Sequence, residues 1–272
     1  MKILITGSNG LLGQKLVHLL RKEESIDLVA TSQGENRISE QRGYIYESLD
    51  ISNFEEVNTL LLKHKPDTVI NTAAMTQVDL CEDLPEKCRL LNVAAVGYLT
   101  ATCKEINAHF IQLSTDFVFD GKEGPYREED TPNPLSYYAV SKYDSEKLVQ
   151  NAGLNKWSIV RTIIIYGVAE KMSRSNIVLW AMDALQKQEA LKIVDDQFRA
   201  PTLAEDLADG CIEIAKKGAN GIFHLSGPES MSILECVHRI ALNFNWSADT
   251  VEAISTESLN KKAKRPPRTG FI

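Results

Sequence analysis

Apolar residues along the chain fall in short runs of strand length, separated by stretches with helical spacing. Lys2–Thr6 (KILIT), Ile26–Thr31, Tyr44–Ser48, Thr68–Asn71, Phe110–Ser114 and Trp157–Arg161 are such runs. Between the first two, Leu12–Lys22 places Leu12, Leu16, Leu19 and Leu20 on one helical stripe. Asn53 reads as the N-cap of a helix carrying Val57, Leu60 and Leu61. A long helix is expected from near Pro85 to Glu105, and another from about Ser136 to Asn151. Each connection is too long for a hairpin, so the strands should run parallel with helices on both faces. The expected class is α/β, a doubly wound parallel sheet. After residue 165 the pattern loosens. Helices are expected at Ile177–Gln186, Ala204–Lys216 and Ile233–Phe244, with a strand at Ile222–Leu225. We read this part as a smaller α/β C-terminal lobe over the mouth of the sheet. The basic stretch from Lys261 to Arg268, with Pro266 and Pro267, reads as irregular.

Composition narrows the role. Of 272 residues, 43% are hydrophobic and 25% charged, which is ordinary for a soluble globular chain. Lys and Arg total 30 against 37 Asp and Glu, a net charge of -7. An acidic chain lacks the basic footprint of a nucleic-acid binder. No apolar run approaches the roughly 20 residues that span a bilayer. The N-terminus, MKILITGSNGLLG, has glycines where a signal peptide has its apolar stretch. The expectation is a cytoplasmic protein with no membrane partner. Cys81, Cys88, Cys103, Cys211 and Cys236 are odd in number and form no CxxC pair, as for thiols in a reducing compartment. The five histidines are scattered, so no metal site is expected.

The first chemical motif opens the chain. Gly7, Ser8, Asn9, Gly10, Leu11, Leu12 and Gly13 follow a strand and open a helix with GxxGxxG spacing. Glycines permit a tight turn, close approach of a pyrophosphate, and packing of helix on strand. The helix N-terminus adds unpaired N–H groups and the positive end of a dipole. At the end of the second strand, where an NAD site usually carries an acid, the chain reads Thr31-Ser32-Gln33-Gly34. Ser32 and Arg37 can instead hold a 2′-phosphate, which favours NADP(H) and leaves NAD(H) open; Arg37 also reads as a solvated loop charge. Asp50 and Ile51 follow the third strand, where an adenine edge fits. Ala73 and Ala74 follow the fourth and are small enough for a cofactor to pass.

A second constellation carries proton chemistry. Tyr138 and Lys142 stand at i and i+4 and share a helix face. An ammonium beside a phenol favours phenolate, so Lys142 is expected to lower the Tyr138 pKa and ready it for proton transfer near neutral pH. A YxxxK match is common by chance; Tyr143 with Lys147 repeats it, and Tyr137 competes as the active phenol. A hydroxyl at the end of the preceding strand, Thr115 or its neighbour Ser114, can bond the same substrate oxygen. Adjacent strand residues face opposite ways, so geometry decides between them; Thr115 is the expected member.

In this order and spacing, TGSNGLLG, NTAA, LSTD and YAVSK resemble the extended short-chain dehydrogenases/reductases. Within them, the chain is most similar to the dTDP-4-dehydrorhamnose reductase family. NTAAMTQVDLCEDLPEKCRLLNVAAVGYL, LSTDFVFDG, PNPLSYYAVSK and RPPRTGF carry the resemblance, which covers essentially the whole chain. It implies a Rossmann-type NAD(P)-binding part over residues 1–166, with elements of about 196–225 returning to it, and a substrate-binding lobe over 167–272. It also implies NADPH-dependent reduction of the 4-keto group of a nucleotide-linked 6-deoxyhexose. Tyr138 would give the proton, Lys142 would tune it and hold the nicotinamide ribose, and Thr115 would bond the reacting oxygen. Asn92 matches a position near the cofactor, Val78 and Asp79 the sugar site, and Arg265 a late RP motif near the substrate's diphosphate. Asp116 either touches substrate or caps the following turn. The family sometimes uses Mg2+, but no carboxylate cluster here demands it, and a homodimer is compatible with the resemblance.

Three features depart from that family. Asn9 stands where Gln is frequent; no Trp follows the strand after YxxxK, where Arg161-Thr162-Ile163-Ile164-Ile165-Tyr166 stands; and the chain stops at Ile272, as in a short or trimmed member. Phe117, rather than an acid, follows the Thr-Asp pair, which disfavours dehydration but leaves a nucleotide-sugar epimerase open. A third class also remains open. It is a non-catalytic NADP-binding subunit like methionine adenosyltransferase beta, which resembles the same reductases.

Overall fold

The fold is described from a computed structural model covering residues 1–272. The first half alternates as its hydrophobic pattern demands. In chain order it forms β1 (Lys2–Thr6), α1 (Leu11–Leu20), β2 (Asp27–Ser32), β3 (Ile45–Ser48), α2 (Phe54–His64) and β4 (Thr68–Asn71). There follow α3 (Val78–Asp83), α4 (Pro85–Arg89), one wide π turn (Leu90–Ala94) and α5 (Ala95–Glu105). Then come β5 (His109–Thr115), α6 (Tyr137–Asn151) and β6 (Trp157–Thr162). Asn53 caps α2, its side chain accepting from the amides of Glu55 and Glu56, and Ser136 caps α6 by accepting from Ala139.

The second half is built from shorter pieces. They are β7 (Ile165–Tyr166), α7 (Ile177–Gln186), β8 (Leu191–Val194), β9 (Phe198–Arg199), β10 (Thr202–Leu203), α8 (Ala204–Lys217) and β11 (Gly221–His224). β12 (Met231–Ser232), α9 (Ile233–Phe244) and β13 (Val251–Ile254) complete it. β11 pairs with β6 in the main sheet, and α8 lies against α1.

Seven parallel strands form the sheet, in the order β11-β6-β5-β4-β1-β2-β3. This is a Rossmann-type doubly wound sheet. Its strand order reverses between β1 and β4, where a crevice opens at the carboxyl ends of the strands. Strands buried on both faces carry continuous apolar runs. Ile3, Ile5, Ala30, Ile70, Ile111 and Val160 point to one face and meet α1 and α8. Leu4, Val29, Val69, Phe110 and Ile159 point to the other and meet α2, α5 and α6. A separate apolar cluster joins α7, β8 and α9 through Ala184, Leu185, Ile193, Val237 and Ala241. All five cysteines are buried and free. No helix is long and apolar enough to cross a membrane.

Candidate active site

A cleft of about 740 Å3 lies at the carboxyl ends of β1, β4, β5 and β6. One end is the glycine loop. Gly7 has φ +72°, and a Cβ there would stand 2.7 Å from the Ala73 amide nitrogen. A Cβ on Gly13 would collide with the Gly7 carbonyl, so α1 can approach β1 only without a side chain at that position. Asn9, Gly10, Leu11, Leu12 and Gly13 line the cleft beside Ala73, Ala74 and Arg37. Asn9 ties this loop to the next: Nδ2 donates to the Glu35 carbonyl at 2.8 Å, and Oδ1 accepts from the Arg37 amide at 2.9 Å.

The strand ends are cross-linked beneath the cleft. Thr6 Oγ1 donates to Asn71 Oδ1 at 2.5 Å, and Asn71 Nδ2 donates to Gln112 Oε1 at 2.7 Å. Asn92 is fully buried in the π turn. It accepts from the Met75 amide at 2.8 Å and donates to the Met75 carbonyl at 3.0 Å, holding the segment after β4. Asn92 therefore shapes the cleft from behind, outside its lining.

Thr115, Asp116, Tyr138 and Lys142 converge on the same cleft. Strand alternation separates the two candidate hydroxyls. Ser114 points into the protein and donates to Glu146 Oε1 at 2.5 Å. Thr115 accepts from the Phe117 amide at 3.2 Å and lines the cleft with Tyr138. Burial pushes the Tyr138 phenol well above its ordinary value, outweighing the favourable Thr115 hydroxyl nearby. This corrects the expectation of a phenol lowered by Lys142: desolvation dominates and keeps the phenol protonated. Lys142 is itself buried; its Nζ donates to the Leu113 carbonyl at 2.7 Å, and desolvation pushes its pKa down to about 8.

Behind this group lies a buried ion pair. Glu146 receives Arg161 Nε at 3.0 Å and Arg161 Nη2 at 2.8 Å, in addition to Ser114. Removing one partner of such a pair costs about 3–5 kcal/mol, because the other charge is left buried and alone. Asp116 is 2% exposed, accepts from Thr115 Oγ1 at 3.0 Å and from Thr269, and has Arg199 Nε at 3.8 Å. Burial outweighs these partners and raises its pKa.

The far end of the cleft is walled by Met75, Val78, Leu80, Phe117, Ile164 and Ile177, with the cations Lys87 and Arg174. The sequence pattern did not single out Lys87, Arg174 or the Glu146–Arg161 pair. Lys87 and Arg174 are cations in unremarkable sequence surroundings until folding brings both to the cleft. Glu146 does carry a signal, since it stands one helical turn beyond Lys142.

Other expected residues lie outside the lining. Arg265 Nη2 donates to Asp79 Oδ2 at 2.7 Å, so the two charges neutralise one another; the guanidinium holds the Asp79 carboxyl below its usual range. Asp50 accepts from Ser52 Oγ at 2.6 Å and from Gln33 at 3.1 Å, and Ile51 is buried in the core. Ser32 stands at the end of β2, its carbonyl taking the Tyr46 hydroxyl at 3.2 Å.

The cleft fits a dinucleotide on its own terms. Ser8 Oγ, in the glycine loop, and Thr162 Oγ1, on the cleft wall, are buried with no hydrogen-bond partner. Buried polar groups rarely stay unpaired, so Thr162, which lines the cleft, marks a place for a polar ligand.

Comparison with known proteins agrees with this geometry. Residues 1–270 match the family described as RmlD substrate binding domain. Methionine adenosyltransferase 2 subunit beta of Rattus norvegicus is 32% identical over 271 residues, 97% of this chain and 78% of that one. Among solved structures, a dTDP-4-dehydrorhamnose reductase of Clostridium acetobutylicum is 31% identical with a TM-score of 0.87. The match covers 100% of this chain and 90% of that one. A dTDP-4-dehydrorhamnose reductase of Bacillus anthracis, solved in complex with NADP, is 27% identical with a TM-score of 0.86 and the same coverage.

Proposed function

The chain belongs to the RmlD substrate binding domain family, and from that membership we propose that it reduces the 4-keto group of a nucleotide-linked 6-deoxyhexose with NADPH. One observation carries the reading: Tyr138, Thr115 and Lys142 meet at one cleft whose other end is the glycine loop. NADPH, when bound, supplies a hydride for the carbonyl carbon. Gly7 to Gly13 and Ser8 Oγ would hold its phosphates, and Arg37 favours the 2′-phosphate of NADP over NAD. The B. anthracis structure in complex with NADP supports that preference.

This chain's own residues then manage the oxygen. Tyr138 stays protonated because it is buried, so it arrives at the ketone as an acid and releases its proton as negative charge grows on that oxygen. Thr115 bonds the same oxygen and fixes its place. Lys142 spends one N–H on the Leu113 carbonyl and keeps two for the nicotinamide ribose. The apolar wall at Met75, Val78 and Ile164 suits a deoxy-sugar face, and Lys87 and Arg174 suit its diphosphate. Residues 1–166, with the returning segment near 196–225, carry the cofactor in this reading; 167–272 select the substrate.

The test is NADPH oxidation with a dTDP-4-keto-6-deoxyhexose. Tyr138→Phe is expected to leave NADPH affinity within about threefold and to cut turnover by about 10²–10⁴-fold. Equal turnover in both chains rejects the assignment. The methionine adenosyltransferase relative supports a second reading, a cofactor-binding regulatory subunit. Stoichiometric capture of an adenosyltransferase, with no oxidation of NADPH by any keto-sugar, would establish it instead.

A further inference from the structure

Lys142 is buried, and the carboxylate one turn further along the same face of its helix is Glu146; Asp144, two residues on, lies off that face and pairs with Lys147 at 2.7 Å. Glu146 is 0% exposed and cannot swing away, because Arg161 grips both its oxygens and Ser114 adds a third hydrogen bond. A lysine taken out of water loses the hydration that favours its charged form. A fixed negative charge close by offsets part of that loss. We infer that Glu146 is a positioning residue for the reaction: held by Arg161 and Ser114, it is the counter-charge that keeps Lys142 protonated and able to hold the cofactor ribose.

The surroundings leave few rivals for this role. On α6 itself, Tyr138 faces the lysine and is held neutral by burial. From α4, Cys88 approaches and bonds Ser141 at 3.3 Å. From β5, the Leu113 carbonyl takes one Nζ proton, and Asp116 at the strand end is engaged by Thr115, Thr269 and Arg199. From β6, Arg161 is bound to Glu146 and is itself buried. Glu146 acts to raise the Lys142 pKa, and desolvation still wins, leaving it at about 8. The lysine is thus poised at the edge of its charged range, where loss of one carboxylate would matter.

The inference rests on the proposed function only in placing Lys142 at the cofactor, so its test reads binding rather than turnover. NADPH affinity would be measured by fluorescence from pH 6 to about pH 9.5. In the natural chain, affinity should fall as pH rises through about 8, and Lys142→Met should flatten that fall. The variant Glu146→Gln with Arg161→Met removes the carboxylate without leaving the guanidinium unpaired. It should fold and show the same fall displaced by about one pH unit to the acid side. Glu146→Asp, which keeps a carboxylate for Arg161 but draws it back from Lys142, should be displaced the same way by less. A purely structural Glu146 would weaken binding equally at every pH. An unmoved midpoint in the paired variant overturns the inference, as does an unmoved midpoint in Glu146→Asp should the paired variant fail to fold. Binding with the expected pH profile but no keto-sugar turnover would reject the reductase reading and leave this one standing.

Discussion

At the scale of single residues, the two neighbouring hydroxyls on β5 have opposite duties. Ser114 belongs to the buried network of Glu146 and Arg161, and Thr115 belongs to the cleft. Thr115→Val should therefore reduce keto-sugar turnover by about 10–100-fold, with a stability cost of about 1–3 kcal/mol because it takes a donor from the buried Asp116. Ser114→Ala should spare turnover. It removes a donor from a buried carboxylate and should cost about 1–3 kcal/mol of stability. Steady-state kinetics and thermal melts on the two variants check this, and matching profiles would refute the division. Pair logic of this kind was readable in advance only in part. Alternation along a strand says that Ser114 and Thr115 diverge, but which one faces the cleft depends on α6 lying over one face of β5.

At the scale of elements, spacing carried most of the information. The runs at Lys2–Thr6 and Thr68–Asn71 are strands with those bounds, and Asn53 and Ser136 cap the helices that follow them. Strong local signals explain this: continuous apolar runs, capping side chains and the glycine loop. The expected helix from Pro85 to Glu105 contains a π turn at Leu90–Ala94. Nothing in its periodicity announces that turn. Tertiary hydrogen bonds from Asn92 to Met75 accompany it. The short strands β7, β9, β10 and β12 were also illegible, since two residues make no pattern and their partners lie far along the chain. Asp79 and Arg265 illustrate the same limit, because motif position could not show that each neutralises the other. Gly13→Ala must push α1 away from β1, costing about 1–3 kcal/mol of stability. NADPH affinity should fall with it, as isothermal titration would show; unchanged stability and affinity would contradict the packing described.

At the scale of the whole molecule, a buried and a half-buried histidine tie stability to pH. His109 and His224 are both pushed down to about 4 from 6.5, chiefly by burial. Below 6.5 the unfolded chain takes up protons that the folded chain refuses, so folding weakens as pH falls from there toward 4. Melting temperature should drop through this window. His109→Gln should flatten the drop, and an equally steep drop in that variant would exclude His109 as a source. The connectivity has its own consequence. β11 completes the sheet beside β6, and α8 covers α1 with Leu207, Cys211 and Ile212. Of the main sheet and its covering helices these elements are made last, after much of the intervening segment. During synthesis the earlier strands therefore emerge with one apolar face open and one edge unpaired until residue 224 has left the ribosome. At about 5–20 residues per second that wait lasts several seconds. Nascent chains stalled near residue 170 should be captured by chaperones and remain protease-sensitive. Those stalled well beyond residue 224, with the ribosomal tunnel cleared, should be neither.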